Sequence, residues 1–432
     1  MKRIIYSAAI AALLVTSCQK TDVFNVVEDV IEFGTEVGKL TKADDEPTTP
    51  AYDTDPKYAT LVNQGFRVWA VAGFTQGEDR MGEIYRNINN LTVEPGEETW
   101  GIVSNQKYYW PQAGNPLYFY TISAFDADWL DDIDFEDNFV GEEAITGLSL
   151  PMFTVKPLAN DDVMVADSIY QHKGMKRAKR VTPYFRHTMT KVEFNFIKGG
   201  PSVANATVAT NVVLKGIEIS GLANSGILNV TYSTASNKPM SFEWPKDDLV
   251  NTAAPEAGEE EKPYFTYVPK TVTETVTVED EVTGKSEEIV TTIVVGAVNA
   301  VADLPKVKVE ERSIAVVGDN NAVYEYLSGS WRPATDGKYN VTDGVVLGGD
   351  DFVNYVTWYM IPQEIDGQVV TIKYEADGKP IDQDFALEVA SLDKDWTEET
   401  CVKYNVTIAP HKVVFSPEVA PWEPKDDVNM NN

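Results

Sequence analysis

Cys18 is the residue whose neighbours most directly specify a chemistry. Lys2 and Arg3 give a positive start, Ile4 to Leu14 an apolar run, and Val15-Thr16-Ser17 a set of small residues directly before the thiol. The apolar run, about ten residues, is too short for a hydrocarbon core of roughly 30 Å and has the form of an export signal. A cysteine at the cut site marks the signal of a bacterial lipoprotein: residues 1–17 are removed, and Cys18 carries the lipid. Two or three acyl chains then hold the mature chain to a membrane.

Other candidate chemistry is weaker. Asp126, Asp128, Asp131, Asp132, Asp134, Glu136 and Asp137 crowd one stretch, but the glycine and glutamate that an EF-hand calcium loop needs at its sixth and twelfth positions are Asp131 and Asp137 here. A solvated acidic loop is expected instead. Gly284-Lys285-Ser286 ends like a phosphate-binding loop, but Glu279 stands where its first glycine belongs. Asp350-Asp351 has the residue types of a glycosidase pair, whose separation sequence does not give. His172, His187 and His411 are scattered and form no metal-binding pair. Cys401 fits a small buried hydrophobe better than a nucleophile. No catalytic residue, metal site or cofactor is expected, and the chain is not expected to be an enzyme. Its 67 acidic against 36 basic residues, a net charge of −31, exclude nucleic acid as a partner.

The elements that would position any site are strands. Phe66–Ala72 is apolar on both faces and reads as buried. Val192, Phe194 and Phe196 alternate with Lys191, Glu193 and Asn195, and the same period of two recurs at Val370–Tyr374 and Tyr404–Ile408. Thr271–Val278 and Ile289–Val295 flank Thr283-Gly284-Lys285-Ser286 as a β-hairpin. Tyr108 to Trp110 ends at Pro111, and Tyr264 to Val268 ends at Pro269. No long amphipathic helix stands out, so an all-β chain built of β-sandwiches is expected. Trp69, Trp100, Trp110, Trp129, Trp358, Trp396 and Trp422 would stack on sugar rings if exposed, but aromatics in alternating strands belong mainly in cores.

One strand is oddly placed. Ile31, Phe33 and Val37 alternate with Glu32, Gly34 and Glu36 and suit an edge strand. Lys39-Leu40-Thr41-Lys42-Ala43 follows, and then an acidic, Pro- and Thr-rich linker to Lys57. A basic residue there is a natural proteolysis site. A cut after Lys42 would take away the strand together with the anchor, leaving an apolar groove open to strand addition.

These features, in this order, resemble the fimbrillin family, the type V pilins of Bacteroidetes. The residues that carry the resemblance are Cys18, Ile31-Glu32-Phe33 with Thr41-Lys42-Ala43, Phe66-Arg67-Val68-Trp69-Ala70, and Tyr108-Tyr109-Trp110-Pro111 leading into Leu117 to Tyr120. Further on come Asp162 to Ala166, Phe185-Arg186-His187-Thr188 running into Lys191 to Phe194, Met360-Ile361-Pro362-Gln363, and Tyr404 to Ile408 with Val414-Phe415 and Trp422.

The resemblance implies two tandem transthyretin-like β-sandwich domains after the signal peptide. It implies a lipid anchor in the outer membrane, surface exposure, a maturation protease cutting in the linker, and other pilin subunits as partners by strand addition. Lys42 stands where the family usually has arginine, so a strictly Arg-specific protease would leave it uncut. The expected organisation is 1–17 signal peptide, 18–57 removable strand and linker, 58–175 N-terminal sandwich, and 176–425 C-terminal sandwich with inserted loops between Asn251 and Asp351. The expected function is a stalk, tip or accessory subunit of a fimbria that supports adhesion, a tip meeting a host or bacterial surface ligand. The alternative is a monomeric surface lipoprotein that binds glycans.

Overall fold

A computed structural model of the chain describes residues 30–34, 36–37, 61, 65–72, 83–95, 100–111, 115–124, 126–141, 145–155, 162–172, 180–199, 211–232, 240–252, 265–279, 286–298, 304, 311–318, 320–335, 337–348, 351, 353–387, 395–409 and 412–421. Almost all described secondary structure is strand, and the fold is all-β. Two α-helices lie wholly within the described residues, Ala127–Asp131 and Phe135–Asn138, each barely a turn long.

The first sheet runs through Arg180–Val181, Glu32–Phe33, Trp100–Ile102, Leu91–Pro95, Phe66–Ala72, Leu117–Ser123, Met164–Ala166, Tyr184–His187 and Glu36–Val37. The two ends of this path are successive pieces of the same two segments. Glu32 and Phe33 lie beside Arg180 and Val181, and Glu36 and Val37 beside Tyr184 and Phe185, in one parallel register. The sheet therefore closes on itself.

Phe66–Ala72 is buried on both faces, which explains a run that is apolar at every residue but Arg67. Phe66, Val68 and Ala70 point into a first core with Phe33, Trp100 and Phe119. Trp69 and Val71 point the other way, into a larger core that reaches Phe194, Ile217, Ile372, Tyr404 and Val406. Two further sheets face each other across that larger core. One is ordered Val353–Met360, Thr190–Lys198, Thr400–Ala409, Lys412–Pro421; the other is Phe265–Tyr267, Val212–Ile219, Val369–Ala376, Lys379–Ala386. Their alternating strands behave as expected: Val192, Phe194 and Phe196 are buried, and Lys191, Glu193 and Asn195 are half-exposed.

Three expectations change. Asp126–Asn138 is not a plain loop but two short helices. The Asp126 carboxylate accepts the Trp129 amide at 3.2 Å, and that of Asp134 accepts the Glu136 amide at 2.7 Å. The remaining acids face solvent while Trp129, Leu130 and Ile133 enter the core. Pro269 does more than end a strand: Phe265–Tyr267 stops before it as expected, and a second strand, Pro269–Glu279, begins at it, the position at which its missing N–H matters least. The span between Asn251 and Asp351 is more than inserted loops. Its sheet runs Ser330–Pro333, Ala322–Leu327, Ile314–Val317, Ser286–Val298, Pro269–Glu279, Tyr339–Asp343. Pro269–Glu279 and Ser286–Val298 pair as the expected hairpin, here called the ribbon.

Candidate functional site: the N-terminal strand and its groove

Residues 30–33 are held along both edges, and Glu36–Val37 along one. On one side Val30 bridges Tyr109, the Ile31 amide donates to the Tyr108 carbonyl at 2.8 Å, and Phe33 lies opposite Trp100. On the other side run Arg180–Val181 and Tyr184–His187, with the Gly34 amide donating to the Val181 carbonyl at 2.8 Å. Around Phe33 the segment is thus an interior strand and not the edge strand expected from its alternation. Nothing local distinguishes the two, because both edges are filled by residues remote in sequence.

The sequence of the opposite wall explains why the pairing is split. Pro183 has no N–H to give to the ladder, which breaks there. Gly34 sits just before the break, where a Cβ would stand 3.1 Å from Thr182 Oγ1. Any larger residue requires the Thr182 side chain to give by a few tenths of an ångström.

Ile31 and Phe33 point inward, with 4% and 0% of their surface exposed. The Phe33 ring meets Phe66 and Phe119 edge-on, each at 5.9 Å. Phe66 continues the cluster to Trp100 at 5.6 Å and Phe185 at 5.3 Å, and Phe119 to Trp110 at 5.8 Å. Fully burying a side chain of this size stabilises by about 1.5–3 kcal/mol, so the pair contributes several kcal/mol. Glu32 and Arg180 form an ion pair at 3.7 Å with both side chains well exposed; such a pair is worth little. Burial and main-chain hydrogen bonds hold the strand, and charge does not.

The groove's far wall is tied to the rest of the molecule one residue further on. Arg186 donates to both carboxylate oxygens of Glu399 at 2.6 and 2.8 Å and to the Met240 carbonyl at 2.9 Å, and it lies 4.7 Å over the Phe242 ring. The Glu399 carboxylate raises its pKa further. His187 Nδ1 is 2.6 Å from buried Asp162, and the Trp244 indole donates to the Thr188 carbonyl at 2.8 Å. Tyr184–His187 therefore lines the groove and also anchors it against the larger core.

Of the residues singled out in the sequence, Ile31 and Phe33 come together in the groove, and Val37 pairs through its backbone with Phe185. Cys18, Lys42, Trp422, His411, Asp350 and the Thr283–Lys285 turn lie outside the described residues. The other six tryptophans named above are buried. Cys401 is buried too, which pushes its thiol up to about 11. Tyr108 and Tyr109 form no strand but a single bridge to Val30. Among the described residues, no three His, Cys, Asp or Glu side chains gather as metal ligands, and no helix is long and apolar enough to cross a membrane. Tyr108 and Phe185 lay in motifs that carry the resemblance and Trp100 and Val181 did not, and nothing in the sequence joined the four as one groove.

The described residues thus form an all-β fold in which the strand carrying Phe33 lies between two others. A fimbrillin-like family model matches residues 51–294, and the chain belongs to the fimbrillin-like family. The matched span begins after the N-terminal strand. Among solved structures, the chain is similar to a fimbrial protein from Bacteroides vulgatus, with 14% identity, covering 91% of this chain and 99% of that one at a TM-score of 0.44. It is also similar to a fimbrial assembly protein from Parabacteroides distasonis, with 11% identity, covering 85% and 94% at a TM-score of 0.31. No curated protein matches the chain.

Proposed function

We propose that this chain is a non-enzymatic fimbrial subunit, anchored in the outer membrane through lipid on Cys18 and assembled by donor-strand exchange. A protease cuts the linker at Lys42, the strand carrying Ile31, Phe33 and Val37 leaves with the anchor, and a strand of a neighbouring subunit takes its place. The fimbria so built supports adhesion. An N-terminal sandwich within 58–175 and a C-terminal one within 176–425 form the body of the subunit. The observation that carries this reading is the full burial of Phe33 in a strand whose two edges are both paired. A segment held in this way leaves behind a complete groove, with main-chain partners on both sides and an aromatic floor.

N-terminal sequencing and mass of the protein from the native cell surface test it. A start at Ala43, in material that runs as a polymer, is the expected result. A population that starts only at acylated Cys18 and remains monomeric would overturn it.

A further inference from the structure

The groove has two walls at one end and one wall at the other. Around Phe33 the strand lies between Arg180–Val181 and Trp100. Trp100 also pairs with Pro95, and only four residues separate the two, so this wall folds back too soon to follow the strand as far as Val37. Among the described residues, Glu36 and Val37 are paired along one edge alone, with Tyr184 and Phe185. The wall shared by both ends is interrupted at the same place, since Pro183 gives no N–H to the ladder.

The two halves of that shared wall differ in what holds them once the strand is gone. Among the described residues, Arg180–Val181 has no ladder partner other than the strand itself. Its further support is the Gln171 side chain, which donates to the Arg180 carbonyl at 3.3 Å. Tyr184–His187, here called the ledge, keeps a neighbour on its far edge: Phe185, Arg186 and His187 pair with Ala166, Val165 and Met164. Behind it stand the Arg186–Glu399 ion pair, the His187–Asp162 contact and the Trp244 bond to Thr188. Removing the strand therefore leaves the ledge as a fixed edge and leaves Arg180–Val181 without a ladder.

Resting on the donor-strand reading above, we propose that exchange runs in one direction. The incoming strand lands first on the ledge, displaces Glu36 and Val37, and then advances past Pro183 toward Phe33 and Ile31. Pairing onto an edge already held in place orders one strand and not two, and so costs less backbone entropy. Glu36 and Val37 are the easiest pairs to break, having one ladder and not two. A cut after Lys42 puts the free end on their side, five residues beyond Val37. The fully buried Phe33 ring leaves only after the incoming strand holds the ledge, so the groove is not opened to water along its whole length.

The test uses the full mature chain, cut after Lys42 at an inserted protease recognition site with the N-terminal segment left in place. The probe is a synthetic peptide of residues 30–42 with a fluorophore at its C-terminus, and its uptake is followed by polarisation. Groups that pair in the rate-limiting step set the rate of uptake, and groups that pair later set only the rate of release. Glu36→Pro together with Val37→Pro in the peptide removes the N–H groups at the ledge and should slow uptake about tenfold. Ile31→Ala in the peptide should leave uptake within about twofold and speed release. Uptake slowed by Ile31→Ala and unchanged by the two prolines, or slowed equally by both, would overturn the direction while leaving strand exchange intact. Uptake at a rate independent of peptide concentration would overturn it too. No uptake of the parent peptide at all would sink the donor-strand reading itself, and the direction with it.

Discussion

Residues 30–37 and the ribbon of Pro269–Glu279 and Ser286–Val298 are both extended, yet their surroundings are opposite. The first is short, broken near Gly34 and carries only a few apolar side chains, but strands lie along both its edges at Phe33, which is fully buried. The second pairs without a register break over a long hairpin, and residues 290–294 stand in solvent. Intrinsic β-propensity therefore does not rank these segments by how tightly they are held. What ranks them is the number of edges and faces that the rest of the chain covers.

Truncation should separate the two most sharply. Phe33→Ala removes a ring from a packed aromatic cluster and should cost about 3–5 kcal/mol, whereas Ile293→Ala on the ribbon should stay within about 0.5 kcal/mol. Denaturant unfolding of the two uncut variants checks this, and similar losses at both positions would erase the contrast. A smaller effect is expected at Gly34→Val. The added side chain meets the Thr182 side chain, and overpacking of this kind costs about 1–3 kcal/mol. Its melting temperature should fall while that of Gly337→Val, with open space around its Cβ position, reports only backbone strain from its positive φ.

The smallest effect concerns the ribbon's base, where Lys270–Glu274 pair with Tyr339–Asp343. Lys270 donates to Asp343 at 2.6 Å and is the main cause holding that carboxyl below its ordinary value. A lowered pKa means the fold favours the carboxylate. The contribution is therefore complete above the ordinary aspartate value of about 3.9 and is lost as pH falls below it. Because Asp343 is largely exposed, the effect should be a few tenths of a kcal/mol. Amide protection at Lys270–Glu274, corrected for intrinsic exchange, should drop between neutral pH and pH ~3. Asp343→Asn should remove that dependence, and protection that is flat with pH in the parent chain would show that the base is held by its ladder alone.

Much of the strand architecture was readable because burial on one face leaves a period of two, as in Thr190–Lys198. The hairpin was readable because its turn lies within the local sequence. Asp126–Asn138 was misread although its signals were present. Asp126 and Asp134 are good N-caps, and Trp129, Leu130 and Ile133 have helical spacing, but the density of charge suggested solvent throughout. The groove was only half readable: Ile31 and Phe33 announced an apolar face, while Trp100, Tyr108 and Val181 gave no sign of belonging beside them.

The sequence by itself determined that the chain is all-β, which faces of its strands are apolar, and that an uncharged β-branched run fills Ile289–Val295. These are properties of residue type at a spacing of two, and they survive in any arrangement of strands. Only the tertiary structure decided that residues 30–37 lie inside a closed sheet and that the ribbon stands outside one. That choice is made by ladders between segments far apart in the chain, such as Phe33 with Val181 and Trp100. Backbone hydrogen bonds are nearly the same for every residue type, so their partners leave no mark on either strand alone.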